Sequence, residues 1–357
     1  MATETDDGTT QGSAKTPELP FGGADIDLGE TLSRAERLRI ATDRQLTTPL
    51  RIIWGDYRAR IGLVTAVIYA LLGTVGVWLT PAPYINMAPI DLPWIIGTNR
   101  LQAVIRRPLE LTFWKYPLGT NHLGIDEVAL MAHATPAMFK MMFAGAVLSM
   151  FIGVSLATVA GYKGGLVDSV LMTVTDVVMG IPGLPLVIIL AAVVRPENPY
   201  MVGLILGIDN WPGLARTLRS QVLTLRNENY VESSRIMGLP TRNVIRKDLL
   251  PELMPYVLIN FIGALTGIIG ESVALYYLGI LPFTNLNWGV ALNQAYKQSI
   301  GLYGVARINQ LIIPILTITL LTFGLTLLSQ SLDRVFNPRV RARHAESVED
   351  SDTVVQQ

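Results

Sequence analysis

The run YVESSRIMGLPTRNVIRKDLLPELMP, residues 230–255, decides how this chain is read. It holds three acids, four bases and three prolines, yet apolar segments flank it on both sides. Residues 231–237 predict a short helix, with Glu232 near its positive N-terminal end. Gly238 follows as a left-handed C-terminal residue, and Pro240 blocks continuation. Thr241 is expected to cap a second short helix over 242–250. Val244, Ile245, Leu249 and Leu250 form its apolar stripe, and Pro251 ends it. Ser233 and Ser234 are small enough for another backbone to come close. The expected shape is a compact knuckle of helix, sharp turn and helix. A DNA-reading helix-turn-helix has this outline, but apolar spans on both sides would pin it to a membrane. An interfacial amphipathic loop and a docking site for another protein both remain open on these residues alone.

Composition places the knuckle in a membrane protein. Of 357 residues, 50% are hydrophobic and 16% charged, against about 25% charged in soluble domains. Mean hydropathy is +0.40. Net charge is zero, which gives no global argument for nucleic acid. There is no cysteine, so thiol chemistry and Cys-based metal or disulfide sites are excluded. Residues 1–45 read as a disordered acidic tail without a signal peptide, and AESVEDSDTVVQQ closes the chain as a second acidic tail.

A bilayer core of about 30 Å takes roughly 20 helical residues. Residues 61–80, 138–161, 167–194, 201–218, 253–278 and 311–328 are candidate spans. The third contains Asp176 and the break GIPGLP around Pro182. The fourth is interrupted by Asp209, Asn210, Trp211 and Pro212, and the fifth carries Glu271. Basic residues collect on cytoplasmic loops. Six spans with both termini inside place nineteen Lys and Arg on inner segments and seven on outer ones. Deleting the fourth span moves the seven-base loop around the knuckle outside, so the charge pattern selects six. The expected fold is an all-α polytopic membrane protein with the knuckle in the cytoplasm. The long outer loop, 81–135, offers Trp94, Trp114 and Tyr116 either as interfacial anchors or as part of an external docking surface.

The knuckle resembles the EAA loop of ABC importer permeases: Glu-Ser-Ser-x-x-x-Gly, ten residues, then Leu-Leu-Pro. Ser233 and Ser234 replace the usual alanines. Other stretches resemble the dipeptide/oligopeptide/nickel branch of that family. YPLGTNHLGID (116–126) is similar to its HPLGTDxLGRD, with Tyr116 for His and Ile125 for Arg. AGYKGGLVDSVLMTVTDVVMGIPGLPL (160–186) and WPGLARTLRSQVLTLRNENYVESSRIMG (211–238) are similar to its middle region. ALYYLGILPFTNLNWGVALNQA (274–295) resembles SFLGLGxxxPxxxWGxML, and SLDRVFNPRVR (331–341) resembles LRDxLDPRLR. The resemblance runs in order from about residue 50 to 341 and points to the C-type subunit.

The resemblance implies a type I ABC importer permease fold. It implies an amphipathic segment and first span over 46–80, and a permease core of five spans over 136–335 with a coupling loop at 219–252. Residues 336–357 would form a cytoplasmic tail. ATPase coupling would fall to Tyr230, Glu232, Ser233, Ser234, Arg235, Gly238, Leu250 and Pro251. The implied partners are a homologous second permease, two cytoplasmic ATPases carrying ATP and magnesium, and an external solute-binding protein. The implied place is the plasma membrane, and the implied cargo peptide, with nickel or oligosaccharide as alternatives.

The remaining features are weighed on the residues. A proline inside a span frees a carbonyl that lipid cannot satisfy. The Pro182 break should therefore face protein or water, as a packing kink or a pathway-lining one. Intramembrane charges cost about 2.5–3.5 kcal/mol on insertion scales, so Asp176, Glu271 and Asp209 need partners or water and are pathway or gating candidates. Asp209 is a departure from the family pattern. Lys140 fits a snorkelling span end. With Asp176 and Glu271, Lys140 could instead serve the ion relay of a stand-alone secondary transporter, but the inverted repeats common in such proteins are not seen. His122, His133 and His344 show no metal-ligand spacing. No G-x-x-x-x-G-K-[ST] occurs, so this chain is not expected to hydrolyse nucleotide itself.

Overall fold

A computed structural model describes residues 56–80, 82–83, 118–119, 125–297 and 309–336. The two tails and Trp94, Trp114, Tyr116, His122 and His344 lie outside the described residues. Among the described residues the regular structure is helical.

Helix α1 covers Tyr57–Leu71, passes through a wide π turn at Leu72–Gly76 and ends in the short α2, Val77–Leu79. Asp56 caps it by accepting from the Arg58 amide at 2.9 Å. Helix α3, Glu127–Lys163, has 37 residues, about 55 Å. That exceeds the roughly 30 Å hydrocarbon core, so it begins well before the apolar stretch at 138. Asp126 caps it through the Val128 amide at 3.1 Å. Helices α4 (Gly165–Met179) and α5 (Gly183–Val194) are one apolar segment bent by 84° at the Pro182 break. The expected fourth span is two helices, α6 (Pro199–Gly207) and α7 (Trp211–Leu225). The chain turns at 208–210, where Asp209 and Asn210 are followed by Pro212. The knuckle holds α8, Asn229–Ile236, and α9, Thr241–Val244. Helix α10, Leu250–Tyr277, follows a π turn at Ile245–Leu249. Helices α11 (Trp288–Ala295) and α12 (Asn309–Phe336) complete the fold. Among the described residues, four helices are long and apolar enough to cross a membrane, or five with the bent pair. The protein is a multi-pass membrane protein.

Small residues set the packing. Gly145, Ser149, Gly153, Ala157 and Gly161 recur every fourth residue and form one buried stripe on α3. Against it lie α6 and α7, end to end. A methyl on Gly203 would collide with the Met141 backbone, and one on Gly207 would come within 2.5 Å of the Gly145 carbonyl. Ser149 donates to the Gly207 carbonyl at 2.7 Å. Further along, Gly153 meets Leu214 and Gly161 meets Val222. The register advances in the same direction on both sides, so α6 and α7 together run parallel to α3 for about twenty residues, or roughly 30 Å. Close backbone approach of this kind drives helix association in lipid, where apolar burial adds little.

Helices α1 and α12 are antiparallel. Gly62 abuts Gly324 and Leu328, while Tyr69 donates to the Thr317 carbonyl at 2.7 Å. Gly73 against Thr135 and Gly76 against Ala132 make α1–α2 antiparallel to α3 as well. Trp288 is fully buried beneath Tyr69, ring centroids 5.7 Å apart. Asp56, Lys163, the knuckle and Arg334 consequently collect at one end of the bundle. The Asn285 amide, bonded to the Glu197 carbonyl at 2.8 Å, joins loops at the other end.

Candidate functional site

The knuckle turns where Gly238 demands it. Its φ of +71° is left-handed, a conformation a side chain disfavours by roughly 1–2 kcal/mol. The Gly238 amide donates to the Arg235 carbonyl at 3.0 Å and the Leu239 amide to the Ser234 carbonyl at 3.2 Å. This pair of bonds is the Schellman closure that satisfies the last carbonyls of a helix. The second half departs from expectation. Thr241 is the first helical residue, and Pro240 precedes it in extended conformation with no side-chain cap. Pro251 does not stop the helix. The π turn lets the Leu250 amide reach the Ile245 carbonyl. It falls where a proline ring at 251 would crowd the carbonyl four residues back, at Lys247. The wider turn accommodates the ring, and the helix runs on from Thr241 to Tyr277.

The second half of the knuckle is consequently continuous with α10. Val231, Val244, Leu249 and Leu253 are fully buried beneath the knuckle. Its tip is bare: Ile236 is 81% and Met237 70% exposed, with Leu239 beside them. Glu232, Ser233 and Pro251 are exposed, Ser234 is buried, and Leu250 is half-buried. Ser233 donates to the Asn229 carbonyl at 2.8 Å. Arg235 stacks over the Tyr162 ring at 5.5 Å, tying α8 to the end of α3. The Tyr230 phenol is pushed up by burial first, then by Glu252, Glu228 and Asp248. It therefore stays neutral and able to donate a hydrogen bond.

A second assembly lies inside the bundle. Asp209 packs directly against Gly183, the first residue after the Pro182 break. The Asn210 side-chain amide donates to the Leu206 carbonyl at 2.9 Å and to Asp209 Oδ1 at 3.1 Å. Asn210 faces α10 beside Gly267, one helical turn before Glu271, whose buried Oε2 has no hydrogen-bond partner among the described residues. Pro182, Asp209 and Glu271 are thereby brought together from three elements. Asp176 is elsewhere: it pairs with Arg216 on α7, while Asp168, one helical stretch earlier, takes two bonds from Arg219. Both pairs fasten α4 to α7. Lys140 lies 5.7 Å over the Tyr200 ring and, among the described residues, makes no ion pair with Glu271 or Asp176. Among the described residues no His, Asp or Glu group could hold a metal ion. The small-residue stripe escapes the sequence reading, which has Asn210 only as an interruption of the fourth span. The four-residue spacing of Gly145, Ser149, Gly153, Ala157 and Gly161 was the signal available for the stripe.

Residues 150–342 match the family described as binding-protein-dependent transport system inner membrane component. The chain belongs to that family. It is a membrane permease component rather than an enzyme, and nucleotide hydrolysis belongs to separate subunits. The dipeptide transport system permease protein DppC of Bacillus subtilis (strain 168) is 30% identical over 62% of this chain and 68% of the relative. The oligopeptide transport system permease protein OppC of the same organism is 28% identical over 68% of this chain and 77% of the relative. The glutathione transport system permease protein GsiD of Pectobacterium atrosepticum is 25% identical over 85% of this permease and 96% of the relative. A solved chain of the MetNI methionine ABC transporter aligns with a TM-score of 0.44 and 17% identity, over 58% of this chain and 94% of that one.

Proposed function

We propose that this permease is one of two homologous membrane halves of an ATP-driven peptide importer in the plasma membrane. It would cross the bilayer six times with both termini in the cytoplasm. The parallel course of α6–α7 along α3 supports a sixth crossing, since the two short helices together traverse about 30 Å. The bases around the knuckle end support the sidedness. Helix α4 buries only Thr175 and presents Leu166, Val170, Val174 and Val177 outward, a face suited to the second permease.

The observation that carries the mechanism is the apolar tip Ile236–Met237–Leu239, exposed at the turn that immediately precedes the helical run Thr241–Tyr277 containing α10. An ATPase groove that takes this tip would grip a lever reaching into the bundle. Closure of the two ATPases on ATP then tilts α10 and alternates access. ATP drives the cycle because it binds one state better than the other. The polar cluster at Pro182, Asp209 and Glu271 lies where α10 meets the bent segment and would act as the gate. An external solute-binding protein delivers the cargo. The peptide assignment follows the dipeptide, oligopeptide and glutathione relatives.

The test is reconstitution of the complex recovered by gentle extraction, with uptake of radiolabelled dipeptide measured with and without ATP. ATP-dependent uptake through an assembly of two permeases and two ATPases is expected. Recovery of the chain alone, or uptake that ignores ATP, would reject the assignment.

A further inference from the structure

A groove of about 620 Å³ runs between the second half of α3 and the segment that leads from the knuckle into α10. Its walls are apolar: Phe151, Val154, Ile245 and Leu250. Phe151 is 72% exposed, at the end of the groove away from the knuckle. At the knuckle end stand Lys163, Arg242 and Arg246. Among the described residues the ion pairs are Arg216–Asp176 and Arg219–Asp168, so these three cations have no carboxylate partner. An apolar trough ending in three unpaired cations has the charge and polarity profile of an anionic phospholipid.

The dimensions agree. From Phe151 to Lys163 the helix rises about 18 Å, close to the roughly 15 Å of one leaflet's hydrocarbon. A chain laid along the groove from mid-bilayer brings its phosphate to Lys163, Arg242 and Arg246. We propose that this groove binds one anionic phospholipid, its acyl chain between α3 and α10 and its phosphate on Lys163, Arg242 and Arg246. Basic pockets between helices on the cytoplasmic side are the sites where lipid headgroups are recognised. Both walls belong to pieces that the coupling mechanism moves relative to each other: α3 is fixed in the bundle, and Ile245 and Leu250 ride with the lever. The lipid would thus be a removable wedge at the base of the lever. This inference rests on the permease reading for its mechanistic meaning, but its binding test does not.

The test is native mass spectrometry of the full complex in mild detergent, stripped of lipid and titrated with phosphatidylglycerol or with phosphatidylcholine of the same chains. One phosphatidylglycerol should be retained at least tenfold more strongly than phosphatidylcholine. Lys163→Gln, Arg242→Gln and Arg246→Gln should each weaken it about fivefold, and Arg195→Gln at the opposite end should leave it unchanged. Ser155→Trp, which fills the groove without touching a charge, should block both lipids; a matching melting temperature shows that this variant is folded. Equal retention of the two lipids, indifference to the three substitutions, or displacement by inorganic phosphate alone would overturn the proposal. So would cross-linking of the acidic C-terminal segment into the groove with no lipid retained. None of these readouts depends on which side of the membrane the knuckle faces or on what the transporter carries.

Discussion

Gly203→Ala tests the packing on which the fold depends. The added methyl would meet the Met141 carbonyl, with the Met141 Cα and carbonyl carbon both at 2.9 Å. These are backbone atoms and cannot rotate away. To restore ordinary contact near 3.4 Å or beyond, α6 and α3 must separate by about 1 Å. A gap of that size forfeits a quarter to a half of the dispersion energy of each affected contact, and overpacking of this kind costs up to about 3 kcal/mol. Alanine returns about 1 kcal/mol of helix propensity, leaving a net loss of about 2 kcal/mol. Gly213→Ala is the control: it lies in α7 with nothing within 4 Å of the new methyl, so it should be neutral or gain up to about 1 kcal/mol. Thermal and denaturant unfolding of both variants in one detergent measures the difference. Truncating the opposed side chain, Met141→Ala, should not rescue Gly203→Ala, because the obstacle is main chain. Equal stability of the two glycine variants, or rescue by Met141→Ala, would mean that main-chain contact at Gly203 does not set this packing.

Four further outcomes are expected. In double-mutant cycles the Asp168–Arg219 pair, with its carboxylate 14% exposed, should show coupling of roughly 1 kcal/mol. The Asp176–Arg216 pair, with both side chains about half exposed, should show less than about 0.5 kcal/mol. Gly238→Ala should destabilise the turn by roughly 1–2 kcal/mol and lower permease-stimulated ATP hydrolysis, while Gly238→Asn, which tolerates the left-handed region, should retain more of both. Gly183→Ala should displace Asp209 and reduce substrate uptake while the complex still co-purifies with its ATPase at the normal yield.

The knuckle was legible because its punctuation is local. Gly238 and Pro240 fix a left-handed turn and its exit whatever surrounds them, and the structure has that turn. Its second half differs from the sequence expectation because Pro251, a helix stop by its local chemistry, lies inside the continuous run Thr241–Tyr277. Pro251 sits one turn into a helix whose preceding π turn makes room for the ring, and such a turn leaves no sequence signature of its own. Likewise, hydropathy located α1, α3, α10 and α12 as apolar segments, and the Pro182 break was expected from GIPGLP. The division of the expected fourth span into α6 and α7 follows from Asp209, Asn210 and Pro212, which were noted as interruptions. That the two halves still share one axis depends on the Gly145-to-Gly161 stripe, a property of two segments in contact that neither shows alone. The same holds for the polar cluster. Asp209 and Glu271 each stand out in the sequence, while Asn210, which bonds Asp209 and faces α10 beside Gly267, is an ordinary turn residue until α10 is packed beside it.

Because the chain contains no cysteine, Met237→Cys places a unique thiol on the 70% exposed tip of the knuckle. Attaching a photoreactive cross-linker there in native membranes asks whether the knuckle meets an ATPase in the cytoplasm. The expected product is a conjugate whose mass is that of this chain plus one ATPase, with no labelling of the thiol by an impermeant maleimide applied to intact cells. A thiol labelled from outside, with no ATPase conjugate formed, would contradict a cytoplasmic coupling role for the knuckle.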